Sequence, residues 1–144
     1  MHATVPARRA GLAAVMAALM AAALLASLAL APAAARAADA PRNFPDIVDA
    51  TAKARGADRY DFAVTVSSPY DTPQRYADAF RVMGHDGRVF GVRELAHDHA
   101  GEQPFTRELN DVAIPPGLGV VIVQGRDKAN GWGGRRLEVV LPGR

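Results

Sequence analysis

From Asp46 to Leu141, polar and apolar residues alternate in short runs, each closed by a turn signal, which is the pattern of half-buried β-strands. Val48, Ala50, Ala52 and Ala54 alternate with Asp49, Thr51 and Lys53, and Tyr60, Phe62, Val64 and Val66 alternate with Asp61, Ala63 and Thr65. The spacing predicts further strands from Tyr76 to Met83, Arg88 to Leu95, Phe105 to Val112, Leu118 to Gly125 and Arg135 to Leu141. It places Phe62, Val64, Phe80, Val82, Val120, Ile122, Leu137 and Val139 in the core. Turn chemistry falls between the runs: an Asp-Gly step in Gly84-His85-Asp86-Gly87, Pro115-Pro116-Gly117, and Asn130-Gly131-Trp132-Gly133-Gly134. Between Asp71 and Phe80, Pro73 and the alternation from Tyr76 argue for loop followed by strand, not helix. Seven short strands at regular spacing without a long helix predict an all-β protein. Its expected form is a single antiparallel β-sandwich of immunoglobulin-like, fibronectin type III-like kind.

The N-terminus does not fit this pattern. Arg8-Arg9 precedes an Ala- and Leu-rich run with no charge before Arg36, and Ala35-Arg36-Ala37 is a small-residue cleavage pattern. Residues 1–37 therefore read as a signal peptide cut after Ala37, residues 38–45 as a flexible lead-in and residues 46–144 as the sandwich domain. The run is long enough that an uncleaved anchor is the alternative, although Ala holds a membrane weakly. The expected location is periplasmic or secreted, with no membrane contact after cleavage.

Removing the leader changes the charge. Without Arg8, Arg9 and Arg36, 14 basic residues face 15 acidic ones, a net of −1. The basic pI of about 9.4 belongs to the leader. No basic stripe remains, so no nucleic-acid partner is expected. The chain has no cysteine, which excludes a disulfide framework, thiol catalysis, thiolate metal sites and a lipid thioether formed within these residues. The 107 residues after Ala37 suffice for one packed core.

Strand parity then groups the polar residues. Successive antiparallel strands reverse direction, so loops 68–75, 96–104 and 127–134 share one end of the sandwich and the turns near 55–59, 84–87 and 113–117 share the other. Tyr70, Asp71, His97, His99, Glu102, Arg107, Asp127, Lys128 and Trp132 should gather at the first end. His85 should stand roughly 25 Å away, one strand length, as a plain turn residue.

His97 and His99 are i and i+2, so in extended backbone both imidazoles point to one side. With Glu102 as third ligand they could hold Zn or Cu. The competing expectation is that one ring bonds a loop carbonyl and the other is solvated. Glu102 and Arg107 could pair across the loop mouth, and Trp132 is either a lid over the sandwich end or an exposed contact. No Ser-His-Asp spacing stands out. Blue-copper and thiolate-iron sites need cysteine, and copper–zinc dismutases need more than the three histidines after Ala37. Catalysis is therefore not expected. The function expected is an exported binding or interaction module using the loop end for a protein or small ligand. The alternative is a periplasmic zinc- or copper-binding protein with His97 and His99 as ligands.

The run His97-x-His99-x-x-Glu102-Gln103-Pro104-Phe105-Thr106-Arg107, with the Pro-Pro-Gly turn and Gly-Trp-Gly-Gly hairpin behind it, resembles a family of small exported bacterial proteins. The likeness spans the domain after the leader and is most specific from Glu102 to Arg107. Similar sequences tend to carry proline between the histidines, where this chain has Asp98. The resemblance implies the exported β-sandwich and brings no activity with it.

Overall fold

A computed structural model describes residues 43–144. The leader assigned to 1–37 and residues 38–42 of the lead-in lie outside the described residues. Seven strands follow in order: β1 (Asp46–Gly56), β2 (Arg59–Ser67), β3 (Ala77–Met83), β4 (Val89–Glu94), β5 (Phe105–Ala113), β6 (Val120–Asp127) and β7 (Gly131–Val140). No helix occurs among the described residues. All pairings are antiparallel, in one sheet of order β1-β2-β5 and another of order β4-β3-β6-β7. The fourth strand joins the second sheet, giving the three-plus-four, fibronectin type III-like sandwich that the alternation predicts. Across the layers β1 meets β7 and β4 meets β5.

The core lies between the sheets. Tyr60, Phe62, Val64 and Val66 line it from β2, Phe80 and Val82 from β3, and Val121 and Val123 from β6, with Ile47, Phe105, Val139 and Leu141 closing it. Gly91 on β4 leaves room for Leu109 and Val112 of β5, since a Cβ there would stand 3.1 Å from Leu109. Two expectations about phase are corrected. On β6 the inward residues are Val121 and Val123, not Val120 and Ile122, because Val82 pairs directly with Val123, whereas Ile122 pairs with Met83 and Glu138. Ile122 is buried, but outside the core cluster. On β1 a register shift between Ile47 and Asp49 turns Val48 outward, leaving it 37% exposed while Ile47 is fully buried.

The third difference lies at the last hairpin. β7 begins at Gly131, four residues before the Arg135 expected, so Trp132 is a strand residue paired with Arg126 and the loop shrinks to Lys128–Asn130. The glycines around Trp132 receive the N-terminal segment. A Cβ on Gly125 would stand 2.6 Å from the Pro45 ring, one on Gly133 would enter the Phe44 ring, and one on Gly134 would meet the Pro45 carbonyl. Pro45 is fully buried, and the Asn43 carbonyl accepts from Arg75 Nη2 (3.1 Å) and Asn130 Nδ2 (3.0 Å). The described end of the lead-in, residues 43–45, is therefore docked rather than loose.

Candidate functional site

Three connections meet at one end: residues 68–76 between β2 and β3, 95–104 between β4 and β5, and 128–130 between β6 and β7. Hydrogen bonds stitch them together. Gln103 accepts from the Ser68 amide (2.7 Å) through Oε1, and its Nε2 donates to Ser68 Oγ (3.1 Å) and the His99 carbonyl (3.2 Å). The Tyr76 hydroxyl donates to the Ala96 carbonyl (3.2 Å), and the Lys128 amide to the Tyr76 carbonyl (3.0 Å). The parity expectation thus groups these loops correctly. The turns holding Asp58, His85 and Pro115 lie at the far end, where His85 bonds Glu138 across 2.8 Å.

Four buried polar side chains stand out among the described residues, Ser68, Asp71, His99 and Asp127, and all are at the loop end. Buried polar groups are costly unless bonded, and two acids here bond several partners. Asp71 bridges two elements, accepting from the Ala77 amide at Oδ1 and from the His99 amide at Oδ2, each at 3.1 Å. Asp127 organises the hairpin. Its Oδ1 accepts from the Ala129 (3.1 Å) and Asn130 (2.7 Å) amides, and Arg75 grips the carboxylate from the side at 3.3–3.4 Å. Burial pushes the Asp127 carboxyl up, but Arg75, the Asn130 amide, the adjacent Tyr70 hydroxyl and the Ala129 amide together outweigh it and hold the group below the usual carboxylate range. Tyr70 sits beside this pair, with the Arg75 guanidinium 5.4 Å from its ring centre. Its hydroxyl is buried without a well-formed hydrogen bond. Burial first, and then the neighbouring Asp127 charge, drive its pKa far above the ordinary phenol value.

The two histidines differ sharply. His97 is exposed, and its Nδ1 lies 2.8 Å from the Asp98 carbonyl. His99 is 3% exposed and its ring lies flat on Phe105, centroids 3.8 Å apart. The two imidazole centroids are 4.8 Å apart, so the i, i+2 spacing does put both rings on one side. His99 Nδ1 is buried without a partner, and Nε2 is 3.8 Å from Glu102 Oε1, beyond hydrogen-bond reach. Burial, Arg107 and His97 lower the His99 pKa against the opposing pull of Glu102 and Asp71. The ring is therefore neutral at neutral pH.

Glu102 and Arg107 pair at 2.6 Å across the loop mouth. The register that sets Phe105, Arg107 and Leu109 opposite Val66, Val64 and Phe62 puts Arg107 on the inward face of edge strand β5. An inward charge at a sheet edge discourages pairing with a foreign strand. Because Arg107 holds Glu102, the structure does not assemble His97, His99 and Glu102 into a preformed three-ligand centre. Among the described residues no group of three or more His, Asp or Glu side chains is placed to hold a metal ion.

Trp132 is neither a lid nor a loop contact. It stands half-buried between two arginines, Arg81 at 4.3 Å and Arg126 at 5.2 Å from its ring, and Arg126 is in turn paired with Asp78 and Glu94. Asp127 faces Arg75 and Tyr70, and it is Asp71 that touches the histidine loop. The residues missed in the sequence are Arg75, Gln103 and Ser68. A signal existed for Arg75: loop parity puts it beside Asp127, and a buried acid requires a cation. A separate open cavity of about 390 Å³ lies at the far end, lined by Asp58, Pro116, Gly117, Gly119 and Arg144. The Arg144 guanidinium there already serves Asp58 and the Ile114 and Pro115 carbonyls, so that cavity belongs to turn packing.

No family model matches the chain, and no solved structure matches it. A curated protein of Halomicrobium mukohataei, described as a "Putative lipoprotein", is 35% identical over 94 residues, which is 65% of this chain and 46% of the relative. The chain thus spans about half the length of the relative it matches.

Proposed function

We propose that the chain is an exported, non-catalytic binding module, periplasmic or secreted, whose contact surface is the loop end formed by residues 68–75, 96–104 and 127–134. The observation that carries this reading is the concentration at that end of four buried polar side chains and of two buried polar atoms, Tyr70 Oη and His99 Nδ1, without a well-formed hydrogen bond. A sandwich end that served packing alone would be closed with apolar residues at lower cost. The export half of the reading is supported by the Arg8-Arg9 leader pattern and by the 35% identical relative, described as a "Putative lipoprotein". Lipid attachment does not come with that description, since these 144 residues offer no cysteine sulfur. The partner is a protein or a small ligand; the net charge after Ala37 argues against nucleic acid.

Site-specific photo-crosslinking in producing cells tests the surface. A crosslinking residue at His97 should give discrete adducts, and one at Pro116, at the far end, should give none. Adducts from Pro116 alone, or from neither position, would remove the proposal.

A second reading has one specific support, the 4.8 Å approach of the His97 and His99 rings. In it, the two imidazoles hold zinc or copper, with Glu102 recruited only after release from Arg107. Isothermal titration of zinc and copper into the wild type and a His97→Ala/His99→Ala variant decides it, because equal binding by both, or none by either, eliminates the metal.

A further inference from the structure

We propose that the outer face of the four-stranded sheet carries an oxyanion site, formed by Arg81, Gln124 and Arg136, that takes a carboxylate side chain from an acidic peptide segment of a partner protein. The site lies on a sheet face and does not depend on the loop end being a contact surface.

The strand register builds the site. Phe80 and Val82 point into the core, so Arg81 between them points out of β3. Its direct neighbours across the sheet are Val92 on β4 and Gln124 on β6. On β7, Glu138 pairs with the outward Ile122, and Arg136 is two residues away on the same face. Ile122, Arg136 and Glu138 line one recess of about 180 Å³ there.

Two arginines flank the same Trp132 ring, and their surroundings differ. Arg126, 5.2 Å from the ring centre, is paired with Asp78 and Glu94, each at 2.7 Å. The Asp78 hydrogen bond leads the effects that raise its pKa against burial. Arg81, 4.3 Å from the ring centre, has no carboxylate partner among the described residues. It donates from Nε (3.2 Å) and Nη2 (2.6 Å) to Gln124 Oε1, a neutral acceptor. Burial first, and then Arg136, lower its pKa. The remaining carboxylate of this face, Glu138, is engaged by His85 at 2.8 Å. A part-buried guanidinium beside a second cation, with no counter-ion, is destabilising. One carboxylate supplied from outside would relieve both charges.

The donors left over suit that group. Arg81 Nη1, Gln124 Nε2 and the Arg136 guanidinium have no protein acceptor among the described residues. Such donors select an oxyanion, and guanidinium groups bind carboxylates through charge-assisted pairs. The neighbours favour a peptide over a bare ion. Val92, 40% exposed, adjoins Arg81, and Ile122 walls the recess beside Arg136, so apolar contact is offered on both sides of the donors.

Trp132 is the single tryptophan of the chain, so its fluorescence reports on Arg81 directly. Titrating the exported protein with an oligoglutamate peptide should change the emission saturably, and an oligolysine peptide should not. Arg136→Gln, at an exposed position, should weaken binding by about three- to tenfold. Arg135→Gln removes the same charge one residue away, where the side chain bonds the Ile47 carbonyl instead, and should leave the affinity within about twofold. In NMR spectra the Arg81 and Gln124 side-chain signals should move with peptide, while that of Arg75 at the loop end stays. No saturable response, equal weakening by the two variants, or movement of Arg75 in place of Arg81 would overturn the inference. Inorganic phosphate binding as tightly as the peptide would overturn the peptide as occupant.

Discussion

The His99 imidazole and the Phe105 ring are stacked with centroids 3.8 Å and planes 11° apart, at the point where the β4–β5 loop enters β5. Phe105 belongs to the core cluster, so a titratable ring is built directly onto the hydrophobic interior. Burial of this ring, with no acceptor at Nδ1, favours the neutral imidazole. That links the stability of the domain to pH.

The sign follows from linkage. Burial, then Arg107 and His97, hold the folded pKa of His99 below the unfolded value of about 6.5, so between the two the unfolded chain carries the extra proton. The stabilisation is complete above about pH 6.5 and is lost as the pH falls through that value toward the folded pKa. Urea midpoints should therefore be lower at about pH 5 than at pH 7.5, and His99→Phe should flatten that part of the profile. Asp127, held low by Arg75, two amides and the adjacent Tyr70 hydroxyl, acts in a different window, losing its contribution only below about pH 4. A wild-type midpoint that does not move between pH 7.5 and 5 would contradict the buried neutral imidazole.

Asp127 should be the most costly polar residue to remove. Asp127→Ala strands Arg75 and leaves the Ala129 and Asn130 amides without their acceptor, and about 2–4 kcal/mol should be lost. Arg75→Met leaves the buried carboxylate with the two amides only and should cost less, since the arginine side chain is 34% exposed. Chemical denaturation of both variants checks the order. If Asp127→Ala unfolds within about 0.5 kcal/mol of the wild type, the carboxylate is not the hub of the hairpin.

How much of this was legible in the residues depends on where the pattern carries information. The alternation through Tyr60–Val66 states both strand and face, and the structure agrees there. The Val120–Val123 run has four apolar β-branched residues in succession and so defines a strand without a phase; its face is set by the pairing of Val82 with Val123. Val48 lost its place because a bulge adds a residue that composition does not mark. Loop parity brought Asp71 to the histidines, yet nothing local says that Gln103 would reach Ser68, 35 residues away. Trp132 read as a loop residue because its glycines look like a turn. Their small size instead admits Phe44 and Pro45, a contact 80 to 90 residues distant in sequence.

The corrected phase of β6 gives a third test. Val123→Ala empties space in the core and should cost about 1.5–3 kcal/mol, and Phe62→Ala about 3–5 kcal/mol. Val120→Ala, on the half-exposed neighbour outside the core cluster, should cost under about 1 kcal/mol. Thermal or urea unfolding of the three variants ranks them, and a larger loss at Val120 than at Val123 would return β6 to the opposite face.

The glycine floor under Phe44 and Pro45 is the last. At Gly133 an added Cβ enters the Phe44 ring, and at Gly134 it meets the Pro45 carbonyl on a backbone with φ of +75°, which side chains already disfavour. The ring at Gly133 can move aside, whereas the carbonyl at Gly134 belongs to a fully buried proline. Gly133→Ala should therefore cost about 1–2 kcal/mol and release Phe44, and Gly134→Ala about 2–3 kcal/mol. Gly101→Ala, with nothing within 4 Å of the new methyl, should change stability by under about 0.5 kcal/mol. Denaturation midpoints give the energies. Proteolysis between Asn43 and Asp46 gives the local consequence, since a docked segment resists cleavage and a displaced one does not. If the wild type is cut there as readily as Gly133→Ala, the N-terminal segment does not lie on the β6–β7 hairpin.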